Sequence, residues 1–142
     1  MKDQKRLRIL LAEDNPGDVF LVRRALMKQG IEFELITVED GEAAMRYLDG
    51  LDASTDEQDR PDLILLDLNL PRCLGTQVLE RLKNSPSCGH APVIILTSSD
   101  SPRDRAEVLR LGAAHYFCKP TDLAGFMTLG GVVEEVLSGE TT

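Results

Sequence analysis

Cationic side chains are in short supply here: 16 Lys and Arg stand against 24 Asp and Glu, for a net charge of −8 and a pI near 4.7. Such a surface repels polyanions, so direct binding to nucleic acid or to an anionic membrane is disfavoured, and protein or metal partners suit it better. Cysteine is scarce too. Cys73, Cys88 and Cys118 are odd in number and lack C-x-x-C spacing, which argues against a disulfide framework and a zinc site and leaves reduced thiols as the default. The two histidines, His90 and His115, are too scattered for a metal site or a catalytic pair. No run of roughly 20 apolar residues occurs, and Met1–Arg6 is charged with no signal-peptide core behind it, so a cytoplasmic location is expected. Internal repeats and low-complexity tracts are also missing.

What is present is an apolar content of 42% in 142 residues, which suits one compact domain over residues 1–142, its core at 6–138, and leaves no room for a second. Short apolar runs at Leu7–Ala12, Phe33–Val38, Leu63–Leu66, Val93–Leu96 and His115–Phe117 read as strands, each followed by helical spacing or capping signals. Leu63–Leu66 and Val93–Leu96 are apolar throughout rather than alternating, as parallel strands covered on both faces must be.

Helix signals fall between the runs. Asn15-Pro16-Gly17-Asp18 is a turn cluster ending in a capping residue, followed by Val19, Val22 and Leu26 on one face. Asp40-Gly41 opens a second helix with Ala44, Leu48 and Leu51 inward, and Gly75 a third with Val78, Leu79 and Leu82 inward. Ser101-Pro102-Arg103-Asp104 starts a fourth, which Gly112 terminates. Phe126, Leu129, Val133 and Val136 form the buried stripe of a last helix weakened by Gly125, Gly130 and Gly131, and Ser138–Thr142 is expected to fray. The polar stretch 52–62 reads as a surface loop lengthening one helix-to-strand connection. Five βα units with right-handed crossovers build an α/β fold with a doubly wound, five-stranded parallel sheet, whose ligands bind beyond the carboxyl ends of the strands.

At those ends stand Glu13-Asp14, Asp67, Thr97 and Lys119-Pro120. Two carboxylates about 4 Å apart repel by roughly 4 kcal/mol at an effective dielectric near 20, so Glu13, Asp14 and Asp67 together call for a divalent cation. Few oxygen ligands with space for waters and a phosphate favour Mg²⁺. Lys119 offers a point charge and Thr97 a hydroxyl to phosphoryl oxygens, and Asp67, at the end of the most apolar strand, is the best placed nucleophile for an acyl phosphate.

These motifs resemble a known family. Glu13-Asp14-Asn15, Asp67-Leu68-Asn69-Leu70-Pro71 with Gly75, Thr97-Ser98 and Lys119-Pro120 are similar, in order and spacing, to the signature set of response-regulator receiver domains, which have the flavodoxin-like (βα)5 fold. The resemblance implies a two-component phosphorelay switch in which a sensor histidine kinase phosphorylates Asp67. It further implies Mg²⁺ ligation by Asp14, Asp67 and the Asn69 carbonyl with Glu13 acting through water, and phosphoryl contacts from Thr97 and Lys119. Tyr116 would be the aromatic that swings with Thr97, and Lys119-Pro120 a cis peptide. Glu13–Asp18 followed by Val19–Leu26, the long polar loop and the lack of an output domain look like the small stand-alone regulators of bacterial phytochromes. That narrower likeness implies a phytochrome kinase, a downstream protein target or phosphotransfer protein, and a homodimer through the fourth helix, last strand and fifth helix. Transcriptional output is not expected.

Plainer readings stand beside these. Glu13-Asp14 alone is equally a solvated acidic pair ahead of a helix, Thr97 alone a turn hydroxyl, and Lys119 alone a surface charge. Tyr116 is equally a half-buried aromatic on an edge strand. Cys118 reads as a small buried filler, and Cys73 as a thiol on the loop after Asp67. Two rival functions also use such residues: a phosphoaspartyl hydrolase, against which Asn69 occupies the position of the second acid, and a receiver-like scaffold that is never phosphorylated. The switch, a non-enzymatic role, is favoured.

Overall fold

A computed structural model describes residues 6–139 and shows strands and helices alternating along the chain. Strands β1 (Leu7–Ala12), β2 (Phe33–Val38), β3 (Leu63–Leu66), β4 (Val93–Thr97) and β5 (His115–Cys118) form one parallel sheet in the order β2-β1-β3-β4-β5. The helices are α1 (Pro16–Lys28), α2 (Gly41–Ala53), α3 (Gly75–Lys83), α4 (Pro102–Arg110), α5 (Leu123–Met127) and α6 (Leu129–Ser138). Among the described residues no helix is long and apolar enough to cross a membrane.

Alternate strand residues feed two separate cores, which is why the central strands are apolar throughout. Leu10, Ile64, Leu66, Val93, Ile95 and Tyr116 point to one face and meet Leu48 of α2, Leu79 and Leu82 of α3 and Val108 of α4. Ile9, Leu11, Leu63, Leu65, Ile94 and Phe117 point to the other and meet Leu26 of α1, Phe126 of α5 and Leu129 and Val133 of α6. Each fully buried Leu or Ile contributes about 1.5–3 kcal/mol, so both layers hold the sheet.

Several local expectations are revised. The cap of α1 is Asn15, whose Oδ1 accepts from the backbone of Gly17 (2.8 Å) and Asp18 (3.2 Å); Asp18 itself lies in the first turn. The last helix is two pieces meeting at Thr128, the weak spot being the glycine-bearing segment, although its buried stripe is as expected. Residues 52 and 53 belong to α2, and the loop proper is 54–62 with a 3-10 turn at Glu57–Asp59. Asp52 is no surface decoration: it accepts hydrogen bonds from Ser85 Oγ (2.6 Å) and Ser87 N (3.2 Å) and pairs with Arg81 (2.8 Å), tying α2 to the α3–β4 turn. Burial opposes its charge, but these donors outweigh burial and bring its pKa down to about 2. Of the tail expected to fray, residues 140–142 lie outside the described residues, as do residues 1–5 of the charged N-terminus; Ser138 closes α6 and Gly139 follows at φ 78°.

Candidate functional site

The carboxyl ends of β1, β3, β4 and β5 open into a cavity of about 350 Å³ lined by Glu13, Asp14, Asp18, Asp67, Asn69, Lys119 and their neighbours. Because β1 and β4 flank β3, Glu13-Asp14 and Thr97 fall on either side of Asp67 without further design. Carboxylate oxygens of Glu13, Asp14 and Asp67 lie within 4.8 Å of one another, the one such cluster among the described residues. Glu13 (1% exposed) and Asp67 (4%) are buried, whereas Asp14 faces solvent.

The loop after β3 is held tightly. Asn69 N donates to Asp67 Oδ1 (2.9 Å), which orients the carboxylate, and Asn69 Nδ2 donates to Thr97 Oγ1 (3.2 Å). A Cβ on Gly75 would stand 2.6 Å from Leu68 Cα and 2.7 Å from Leu68 O, so only glycine lets α3 start this close to the loop. Arg72, at φ 74°, takes a left-handed conformation that costs a side chain energy, and its guanidinium lies 3.6 Å from Asp40 and from Glu42 at the start of α2.

Lys119 supplies the counter-charge. Its Nζ donates to Asp18 Oδ2 (2.7 Å) and Asp67 Oδ2 (3.0 Å) and lies 2.8 Å from Glu13 Oε1. That buried Glu13 oxygen has the ammonium as its ion-pair partner and no other donor among the described residues. Burial pushes the Glu13 carboxyl up to about 7, the charge of Asp67 adding to it and Lys119 opposing it. Burial also works against the Lys119 ammonium, but contacts with Asp18, Glu13 and Asp67 prevail and hold its pKa above the usual lysine range. Three carboxylates sharing one ammonium, the raised Glu13 pKa and the hard oxygen donors fit a divalent cation.

From Thr97, fully buried at the end of β4, contacts lead outward to α4. Ser99 N approaches Thr97 Oγ1 (3.4 Å), Tyr116 OH donates to Ser99 O (2.8 Å), and Ser99 Oγ donates to Asp104 (2.7 Å). Tyr116 is buried (5% exposed), more than its edge-strand position suggested, and Arg105 caps its ring at 4.8 Å. The expected cis bond at Lys119-Pro120 is not there: that peptide is trans, the form a prolyl amide intrinsically prefers by about 0.5–1 kcal/mol, and Lys119 reaches its three carboxylates from it. Cys118 is partly exposed rather than buried filler, its Sγ 4.0 Å from Ser98 O.

Asp18 is the residue that sequence reasoning missed. Its signal was available, since an acid in the first turn of a helix that follows a strand directly faces the same edge as the strand end.

Comparison with known proteins matches residues 9–129 to a family model described as the response regulator receiver domain. The response regulator Rcp1 of Synechocystis is 39% identical over 115 residues, covering 81% of this chain and 78% of that protein. Two other curated relatives are longer, and the chain spans 25% and 23% of them. Among solved structures, the phosphorylated cyanobacterial phytochrome response regulator RcpA superposes with a TM-score of 0.81 at 34% identity, over 97% of this chain and 98% of that one. The Mn²⁺-bound form of Rcp1 superposes with a TM-score of 0.77 at 36% identity, over 91% and 92%.

Proposed function

This chain belongs to the response regulator receiver family, and from that premise we propose that Asp67 accepts a phosphoryl group from a sensor histidine kinase of the phytochrome type. Phosphorylation-dependent switching is typical of the family. The observation that carries the assignment to Asp67 is its setting: a buried carboxylate, oriented by Asn69 N and reached by Lys119, opening into the cavity.

In this reading Asp14, Asp67 and the carbonyl of Asn69 hold Mg²⁺, with Glu13 behind them. The cation, when bound, offsets negative charge on the entering group. Asp67 Oδ attacks phosphorus as the donor departs with its electron pair, and Lys119 and Thr97 bind the equatorial oxygens where charge accumulates. Thr97 then leaves its contact with Asn69, and the displacement passes through Ser99 to Tyr116 and α4, changing the surface a protein target meets. Pro120, which follows Lys119 and lines the same cavity, belongs to the switch segment in this reading. Switching rather than turnover is further supported by Asn69, whose carboxamide is far too weak an acid to protonate a leaving group. Self-association through α4, β5, α5 and α6 belongs to the same reading, with β5 at the sheet edge and Leu109 and Leu123 exposed nearby.

Intact mass after incubation with Mg²⁺ and acetyl phosphate tests the assignment. One hydroxylamine-labile phosphoryl adduct is expected, absent from Asp67→Asn and from samples in EDTA. A folded chain that acquires no adduct, or an Asp67→Asn variant that still does, overturns it and favours a scaffold.

A further inference from the structure

Lys119 is shared more widely than phosphoryl binding requires. Its shortest contact is not with Asp67 but with Asp18 Oδ2, at 2.7 Å and in hydrogen-bond geometry, against 3.0 Å for Asp67 and 2.8 Å for Glu13. Asp18 is held in the first turn of α1, where its own N–H is bonded to the Asn15 cap, and its carboxylate lines the same cavity as Asp67. One ammonium therefore faces three carboxylates, and with Asp14 the cavity carries four acids against a single lysine.

We propose that Asp18 is a positioning residue that restrains phosphoryl uptake: it holds Lys119 in the resting state and competes with the entering phosphoryl group for that ammonium. This rests on the reading of Asp67 as the phosphoacceptor. In uptake, the bond between phosphorus and the donor oxygen breaks, the donor keeping the electron pair, and an Asp67 oxygen–phosphorus bond forms. Lys119 must turn an N–H towards a phosphoryl oxygen during that exchange. The Asp67 contact can pass to the phosphoryl group, but the contact with Asp18 persists and divides the lysine charge. The Asp18 carboxylate also stands one ammonium away from the arriving anion and repels it.

Asp18→Asn keeps an oxygen that can accept from Lys119 and removes the charge; Asp18→Glu keeps the charge. A unit charge about 5 Å from the phosphoryl oxygens, at a near-surface dielectric and with partial screening, corresponds to about a tenfold change in rate. The measurement is the rate of adduct formation by intact mass with Mg²⁺ and acetyl phosphate, beside denaturant unfolding in EDTA as a check of the fold. Asp18→Asn is expected to take up the phosphoryl group about tenfold faster than the unaltered chain, with the gap narrowing as salt is raised, while Asp18→Glu remains slow. An Asp18→Asn variant no faster than the unaltered chain, or equal acceleration in both variants, overturns the inference and leaves the phosphoacceptor reading standing. An unaltered chain that forms no adduct at all overturns both.

Discussion

Lys119→Met removes the cation from a group of buried acids while keeping most of the apolar stem, and its cost follows from the contacts. Glu13, Asp18 and Asp67 each lose an ammonium at 3.0 Å or less. Deleting one partner of a buried ion pair costs roughly 3–5 kcal/mol, because the other charge is left uncompensated. Relief comes from Glu13: with its pKa already about 7, it takes a proton readily, and each further unit of upward shift costs only about 1.4 kcal/mol. A net loss of about 2–3 kcal/mol at pH 8 in EDTA is expected from guanidinium unfolding followed by far-UV circular dichroism, the chain having no tryptophan to report. Mg²⁺ should then stabilise the variant more than the unaltered protein, since the cation enters a site with more uncompensated charge. A loss under about 0.5 kcal/mol in EDTA, or a deficit that Mg²⁺ leaves untouched, would refute the view that Lys119 screens this site.

Asp52→Asn should cost about 1–2 kcal/mol near neutrality by weakening the bonds from Ser85 and Arg81. Because the folded pKa of Asp52 is about 2, below the 3.8 of the free side chain, its stabilisation is complete above about pH 4 and disappears as pH falls through about 2. Urea unfolding across that window should show the variant and the unaltered chain converging; a constant gap would count against it. Gly75→Ala drives a methyl into Leu68, a backbone clash that should cost about 1–3 kcal/mol and slow phosphoryl uptake by displacing Asn69. Uptake at the original rate would show that the loop has slack.

The sheet could be read in the sequence because Leu63–Leu66 and Val93–Leu96 are apolar at every position, a pattern that few other environments tolerate. The helical stripes were legible from their period: Val22 and Leu26, Ala44 and Leu48, Val78 and Leu82, and Leu129 and Val133 each stand four residues apart on one buried face. The strand-end residues could be named because a parallel sheet delivers every strand's carboxyl end to one edge. Side-chain partnership is another matter. Asp18 looked like a cap, since helix-start signals say nothing about which cation lies across the cavity. Asp52 looked like solvated loop, because its partners Ser85 and Ser87 are more than thirty residues away in the chain. The Lys119-Pro120 isomer is set by a trans preference of only about 0.5–1 kcal/mol, which surrounding structure can reverse, so the dipeptide alone does not decide it.

Glu13 sits at the end of the first strand and Lys119 beyond the last, yet their side chains meet at 2.8 Å. A chain still emerging from the ribosome has Asp67 long before it has Lys119, and a molecule whose terminal βα unit has peeled away loses the lysine while keeping the acid. The charge balance of the cavity is therefore completed only by the last strand: without that unit, Glu13, Asp14, Asp18 and Asp67 have no ammonium among them.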